Sequence, residues 1–247
     1  MVTKEREIPE EIKDLVEEYR RRIPIDHKEI INGRLKTTLF FDGEKPFLNP
    51  DYPGKDEYWR HLTGILVVNG NQEIDLCSFA PENTRFETDS AISTISRYEP
   101  EVPLAKTVSA KGTIIVILNP DIYNLRGGNL LTLHEIGHAW QMHDGRLDSA
   151  EARKLIFGFS GKKKSEAVKE ELLEALDLLN QSENDAWRFA LNKYQEIKNG
   201  GFDLASQLTK AELRKYPQTV YDQLYNREIW KALEVVGQKH KLRWRTK

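Results

Sequence analysis

The sequence predicts an α+β protein with a mainly β N-terminal half and a helical C-terminal half. Three observations carry that expectation. Before about residue 120, short β-branched and alternating runs are broken by turn residues such as Asp42-Gly43 and Asn69-Gly70-Asn71. After residue 128, apolar residues recur at three-to-four spacing, as in Leu172, Leu173, Leu176 and Leu179. Between the two stands the strongest strand signal of the chain, Thr113 to Leu118, which stops at Asn119-Pro120.

Element by element, Pro9-Glu10-Glu11 opens a helix over 9–22, because proline suits the first turn and acids suit its positive end. Leu35 to Phe41 reads as a strand, and residues 47–55 as a Pro/Gly loop. Leu62 to Val68 and Glu73 to Phe79 form a pair of strands around Asn69-Gly70-Asn71. Ala80 to Pro103 carries no clear period, and Ala91 to Tyr98 fits helix or strand. An amphipathic helix follows Gly127-Gly128, running from Asn129 to Met142 or His143 and stopping before Gly145. Further helices are expected from Ser149 to about Phe157 and from Ser165 to Asn180. Ser182, with Asp185 three residues on, looks like a capping box starting another helix that ends at Gly200-Gly201. Leu204 to Lys215 and Val220 to about Val236 complete the set, divided by Pro217. This organises the chain as residues 1–111, mainly β and of no readable role, and residues 112–247, which carry the chemistry.

Composition removes several classes of function. The 247 residues hold 37 Lys+Arg against 39 Asp+Glu, so no overall charge draws the chain to nucleic acid or an anionic membrane. The longest purely aliphatic run, Ile114 to Leu118, is far shorter than the ~20 residues of a membrane span. The charged N-terminus lacks the apolar segment of a secretory signal, and Cys77 is the one cysteine. Together these predict a cytoplasmic protein.

The chemistry is concentrated in Leu133-His134-Glu135-Ile136-Gly137-His138-Ala139-Trp140, which contains H-E-x-x-H. Residues four apart share one face of a helix, ~6 Å apart at Cβ, so two imidazoles can converge on a single ion. Neutral imidazole suits Zn²⁺, and Glu135 can lie beside the metal and take a proton from its bound water. Gly137 weakens a helix by ~1 kcal/mol relative to Ala, so close packing near the site explains it better than helix stability does. A catalytic zinc takes a third protein ligand and keeps one open position. Asp144, His143 and Glu183 compete for that role. Asp144 has metzincin spacing from His134, but Gln141 stands where that pattern places glycine. His143 points away from His138 if the helix persists, and Glu183 begins Glu183-Asn184-Asp185-Ala186-Trp187-Arg188-Phe189-Ala190.

The pair of motifs His-Glu-x-Gly-His and Glu-x-x-Ala-x-x-Phe-Ala resembles the ImmA/IrrE-type metallopeptidases of the gluzincin group, over about residues 112–191. The resemblance implies a zincin-like fold and one zinc ion held by His134, His138 and Glu183. It also implies Glu135 as catalytic base and a peptide or protein as substrate. By the same likeness, Thr113 to Leu118 is the strand expected to line the cleft, although its five aliphatics favour an interior place. Tyr194, Tyr221, Tyr225, Arg188 and His143 are the candidates for stabilising the oxyanion. The alternative reading is a regulatory or partner-binding protein with a structural zinc closed by four ligands. The basic tail 239–247 is expected to be a solvated terminus rather than a nucleic-acid contact. Oligomeric state has no signal in the sequence.

Overall fold

The structure is a computed structural model that describes residues 26–42, 47–48, 58–89, 105–110, 112–146, 150–158, 166–220 and 232. The expected helix at 9–22, the ambiguous stretch at 91–98, Tyr221, Tyr225 and the basic tail lie outside the described residues.

The architecture is α+β, with an N-terminal sheet and C-terminal helices. Eight strands form the sheet: β1 (Asp26–Asn32), β2 (Leu35–Phe41), β3 (Phe47–Leu48), β4 (Tyr58–Asn69), β5 (Gln72–Asp75), β6 (Thr84–Thr88), β7 (Ala105–Ala110) and β8 (Thr113–Leu118). The main order is β1-β2-β4-β6-β8-β7, with β3 and β5 also pairing β4. Pairing is antiparallel except between β6 and β8. Strands β2 and β8 fall where the β-branched and aromatic runs place them. The run expected as a strand from Glu73 to Phe79 is instead a short strand that turns into a 3-10 helix at Leu76–Phe79. Asp75 causes the switch, since its carboxylate accepts the Cys77 amide at 3.0 Å and bends the chain.

Strand β8 is interior, between β6 and β7, so among the described residues the outer strand on this side is β7. This corrects the expectation that Thr113 to Leu118 lines a cleft. Both its edges are paired, which leaves no edge for an added peptide, and Ile114, Val116 and Leu118 join the core. The division at 111/112 falls between two paired strands, and one hydrophobic core runs from Ile30 and Leu39 through Val116 and Leu133 to Trp187 and Val220.

Among the helices that follow are α1 (Gly128–His143), α2 (Ala150–Gly158) and α3 (Glu166–Asn199). Gly127 at φ 89° turns the chain into α1, and the Tyr216 ring lies where a Cβ at Gly127 would sit. Helix α1 is not amphipathic as expected. It is buried from Gly128 to Ala139, because the sheet covers one side and α3 the other.

The two helices expected on either side of Ser182 are one helix of 34 residues. No Gly or Pro interrupts Leu179-Asn180-Gln181-Ser182, and the Ser182 hydroxyl is engaged with Gln141 instead of capping. The capping box of this half is at Thr209. The Glu212 amide donates to Thr209 Oγ1 at 3.2 Å, and Glu212 Oε2 accepts the Thr209 amide at 2.7 Å. Residues 204–207 are turns, and helix begins at 210. It continues through the buried Pro217 to 220 at the loss of one backbone hydrogen bond. Among the described residues no helix is long and apolar enough to cross a membrane.

Candidate metal centre

The site begins with the one-turn spacing of His134 and His138 on α1. Their rings meet edge to face with centroids 4.6 Å apart, and their Nε2 atoms are 3.2 Å apart. Glu183 of α3 completes the group, with Oε2 3.2 Å from His134 Nε2 and Oε1 3.5 Å from His138 Nε2. Among the described residues this is the group whose ligand atoms, all within 4.8 Å of one another, could hold a metal ion. Donors about 2.1 Å from a tetrahedral ion stand roughly 3.3–3.4 Å apart, so the observed spacings suit one ion shared by all three.

Gly137 explains how Glu183 reaches the histidines. A Cβ there would stand 2.8 Å from the Ala186 carbonyl oxygen and 2.9 Å from its Cα, so α1 and α3 touch backbone to backbone. Ala186 lies one turn beyond Glu183, which puts the carboxylate on the face turned toward α1. The helix-start reading of Glu183 does not hold: it lies mid-helix, 2% exposed, and its carboxylate faces the two imidazoles.

The electrostatics follow from burial and proximity. Burial lowers the His134 imidazole, against the pull of Glu183. Burial would also lower His138, but the charge and hydrogen bonding of Glu183 reverse this and raise it. Burial works to raise Glu183, and the two imidazoles overcome it, holding the carboxyl well below its usual range. Arg153 of α2 adds a further cation, with Nη2 3.2 Å from Glu183 Oε1. The Trp187 ring stacks on His134 at 4.2 Å.

Glu135 is not part of this group of three. Its Oε2 accepts the Thr107 hydroxyl at 2.7 Å, and that hydroxyl also lies 2.9 Å from the Glu135 carbonyl. Thr107 belongs to β7, so the outer strand anchors this carboxylate. Gln141, one turn beyond His138, bonds to His138 Nδ1 and to both the hydroxyl and the carbonyl of Ser182.

The other candidates are elsewhere. Asp144 caps α1 and pairs with Arg146 at 2.6 Å, and His143 is exposed with its ring against Trp140. Arg188 pairs with Asp185 at the surface, and the Tyr194 hydroxyl donates to Asp203 at 2.9 Å. Sequence reasoning missed Thr107, Arg153 and Ser182 as neighbours of the site. Thr107 sits in a strand with no strong period, and Arg153 and Ser182 are linked to the motif only by folding. Gln141 did have a signal, its place one turn past His138. No family model, no curated protein and no solved structure matches this chain.

Proposed function

We propose that this chain is a zinc-dependent metallopeptidase with a zincin-like site, of the ImmA/IrrE kind its motifs resemble. The supporting observation is the convergence of His134, His138 and Glu183, with Glu135 fixed beside them and outside the ligand set. Two imidazoles and one carboxylate are one of the recurrent donor sets of catalytic zinc. A zinc ion there supplies Lewis acidity, lowering the pKa of water and polarising a scissile carbonyl.

The residues divide the remaining work. His134, His138 and Glu183 hold the ion. Glu135 is the general base: its carboxylate, steadied at Oε2 by the Thr107 hydroxyl, takes a proton from water and passes it to the leaving amine. The same strand that anchors the base, β7, has its outer edge unpaired among the described residues, and an extended peptide can add to it as a further strand. The substrate is then a peptide or protein segment that reaches the site in extended form.

Burial of the triad favours one second reading, a structural zinc in a regulatory or partner-binding protein: His134 is 1% and His138 5% exposed. Elemental analysis with cleavage of a peptide library separates the two. The peptidase carries one zinc per chain and cleaves, and Glu135→Gln keeps the zinc while cleavage falls by roughly 10²–10⁴-fold. Full activity in that variant overturns the mechanism, and bound zinc without any cleavage supports the structural reading.

A further inference from the structure

Gln141 is 3% exposed and Ser182 1%, so water does not compete for the hydrogen bonds between them. The Gln141 amide nitrogen donates to the Ser182 carbonyl at 2.7 Å. A carbonyl can only accept, so this contact orients the carboxamide, because the flipped form would set two oxygens against each other. The Gln141 oxygen therefore faces the Ser182 hydroxyl, which donates to it at 3.0 Å, and His138 Nδ1, 2.9 Å away. An amide oxygen is an acceptor, so Nδ1 must carry a hydrogen. Neutral imidazole has one N–H, which leaves the lone pair on Nε2, the atom 3.2 Å from His134 Nε2 and 3.5 Å from Glu183 Oε1.

We propose that Gln141 is a positioning residue that presets His138 to ligate through Nε2, and that it does so through a clamp joining the two ligand-bearing helices. Ser182 immediately precedes Glu183, so one side chain ties the last turn of the H-E-x-x-H helix to the backbone beside the carboxylate ligand. The clamp fixes both which nitrogen faces the ion and how far the carboxylate stands from it. His134 has no such partner: its Nδ1 is buried without a hydrogen bond among the described residues. Ring orientation there depends on stacking against Trp187. His138 is therefore the prepared ligand of the pair. This inference rests on the metal reading.

The test compares Gln141→Leu with Gln141→Glu. Both break the bond to the Ser182 carbonyl, but the glutamate keeps an oxygen that can accept from His138 Nδ1. Zinc affinity, measured by competition with a chromophoric chelator, is expected to fall ~10–100-fold in Gln141→Leu and by clearly less in Gln141→Glu, which loses the clamp but keeps the acceptor for Nδ1. Equal losses in both variants, or no loss in Gln141→Leu, would overturn the proposal, since a purely structural clamp treats the two alike. Ring ¹H–¹⁵N correlation spectra of the zinc-loaded wild type need no variant to fold. They are expected to show the His138 proton on Nδ1, and a proton on Nε2 refutes the assignment. A wild-type chain that binds no zinc at all fails differently, because it removes the metal reading itself.

Discussion

Two clusters in this chain are built from the same side-chain types and behave in opposite ways. On the sheet, His61 of β4 stands directly across from Glu87 of β6, with Arg85 two residues along the same strand face. Glu87 Oε1 lies 3.0 Å from Arg85 Nε and 3.4 Å from His61 Nδ1. Its Oε2 is buried with no hydrogen-bond partner among the described residues. Burial raises the Glu87 carboxyl, and Arg85 and His61 do not reverse it. Between the helices, Glu183 is equally buried but is held low, because both oxygens face imidazole nitrogens. The sheet places one histidine beside a half-exposed arginine whose charge is largely solvated, and the Arg85 guanidinium lies against the His61 ring. The helix places two identical donors on one rigid face. Residue types do not make a metal site; convergence of lone pairs does, and the i,i+4 repeat of a buried helix supplies it.

Four measurements test this contrast. The largest effect belongs to Glu183→Ala, which is expected to lose zinc by more than the ~10–100-fold typical of residues outside the ligand set. Glu87→Gln is expected to keep its full zinc content, and elemental analysis of both variants decides. Next come two glycines. Gly137→Ala forces α1 off α3 and is expected to cost at least ~1–3 kcal/mol in urea unfolding of the metal-free protein, with weaker zinc binding besides. At Gly64, near the sheet cluster, a Cβ would rest 3.6 Å from the Phe40 ring, an ordinary contact. Gly64→Ala is expected to be much the milder change.

A smaller effect is expected from Thr107→Val, which leaves the Glu135 carboxylate untethered in its buried place. One lost hydrogen bond to a charged group is worth about 1.5 kcal/mol, so kcat is expected to fall ~10-fold with zinc content unchanged. A variant with wild-type kcat would show that Glu135 does not depend on β7.

The smallest effect is a difference in sign, read from metal-free unfolding between pH 3 and 8. Glu183 is depressed below 4.5, so the stability it contributes is present above 4.5 and is lost as pH falls through its folded value. His138 is raised above 6.5 by that same carboxylate, so its contribution is present below 6.5 and is lost as pH rises through its folded value. The advantage of wild type over Glu183→Gln is therefore expected to be greatest between about pH 4.5 and 6.5. Glu87 is raised above 4.5, so its contribution is present below 4.5 and is lost as pH rises through its folded value. Wild type is accordingly expected to lose ground to Glu87→Gln on going up from pH 4.5. Parallel profiles for the two variants would erase the distinction drawn between the clusters.

How much of this was legible beforehand depends on how local the cause is. Strands β2 and β8 could be read because β-branched and aromatic runs ended at turn residues. His134 and His138 could be paired because helical spacing is a local rule. Ser182 misled, because Ser followed by an acid three residues on is the signal of a helix start. That signal fails when the hydroxyl finds a distant partner in Gln141. Strand β7 was missed because Ala105 to Ala110 carries weak propensity and owes its pairing to β8.

Propensity, periodicity and the H-E-x-x-H spacing act within a few residues, so they determined the α+β class, the face of α1 that His134 and His138 share and the place of Glu135 beside them in sequence. Which carboxylate joins them, which strand is outermost and which side chains steady the donors are settled across 28 to 45 residues of sequence, in the contacts of Thr107 with Glu135 and His138 with Glu183. Those depend on backbones meeting at Gly137 and Ala186, and only a packed core brings such distant positions within hydrogen-bond reach.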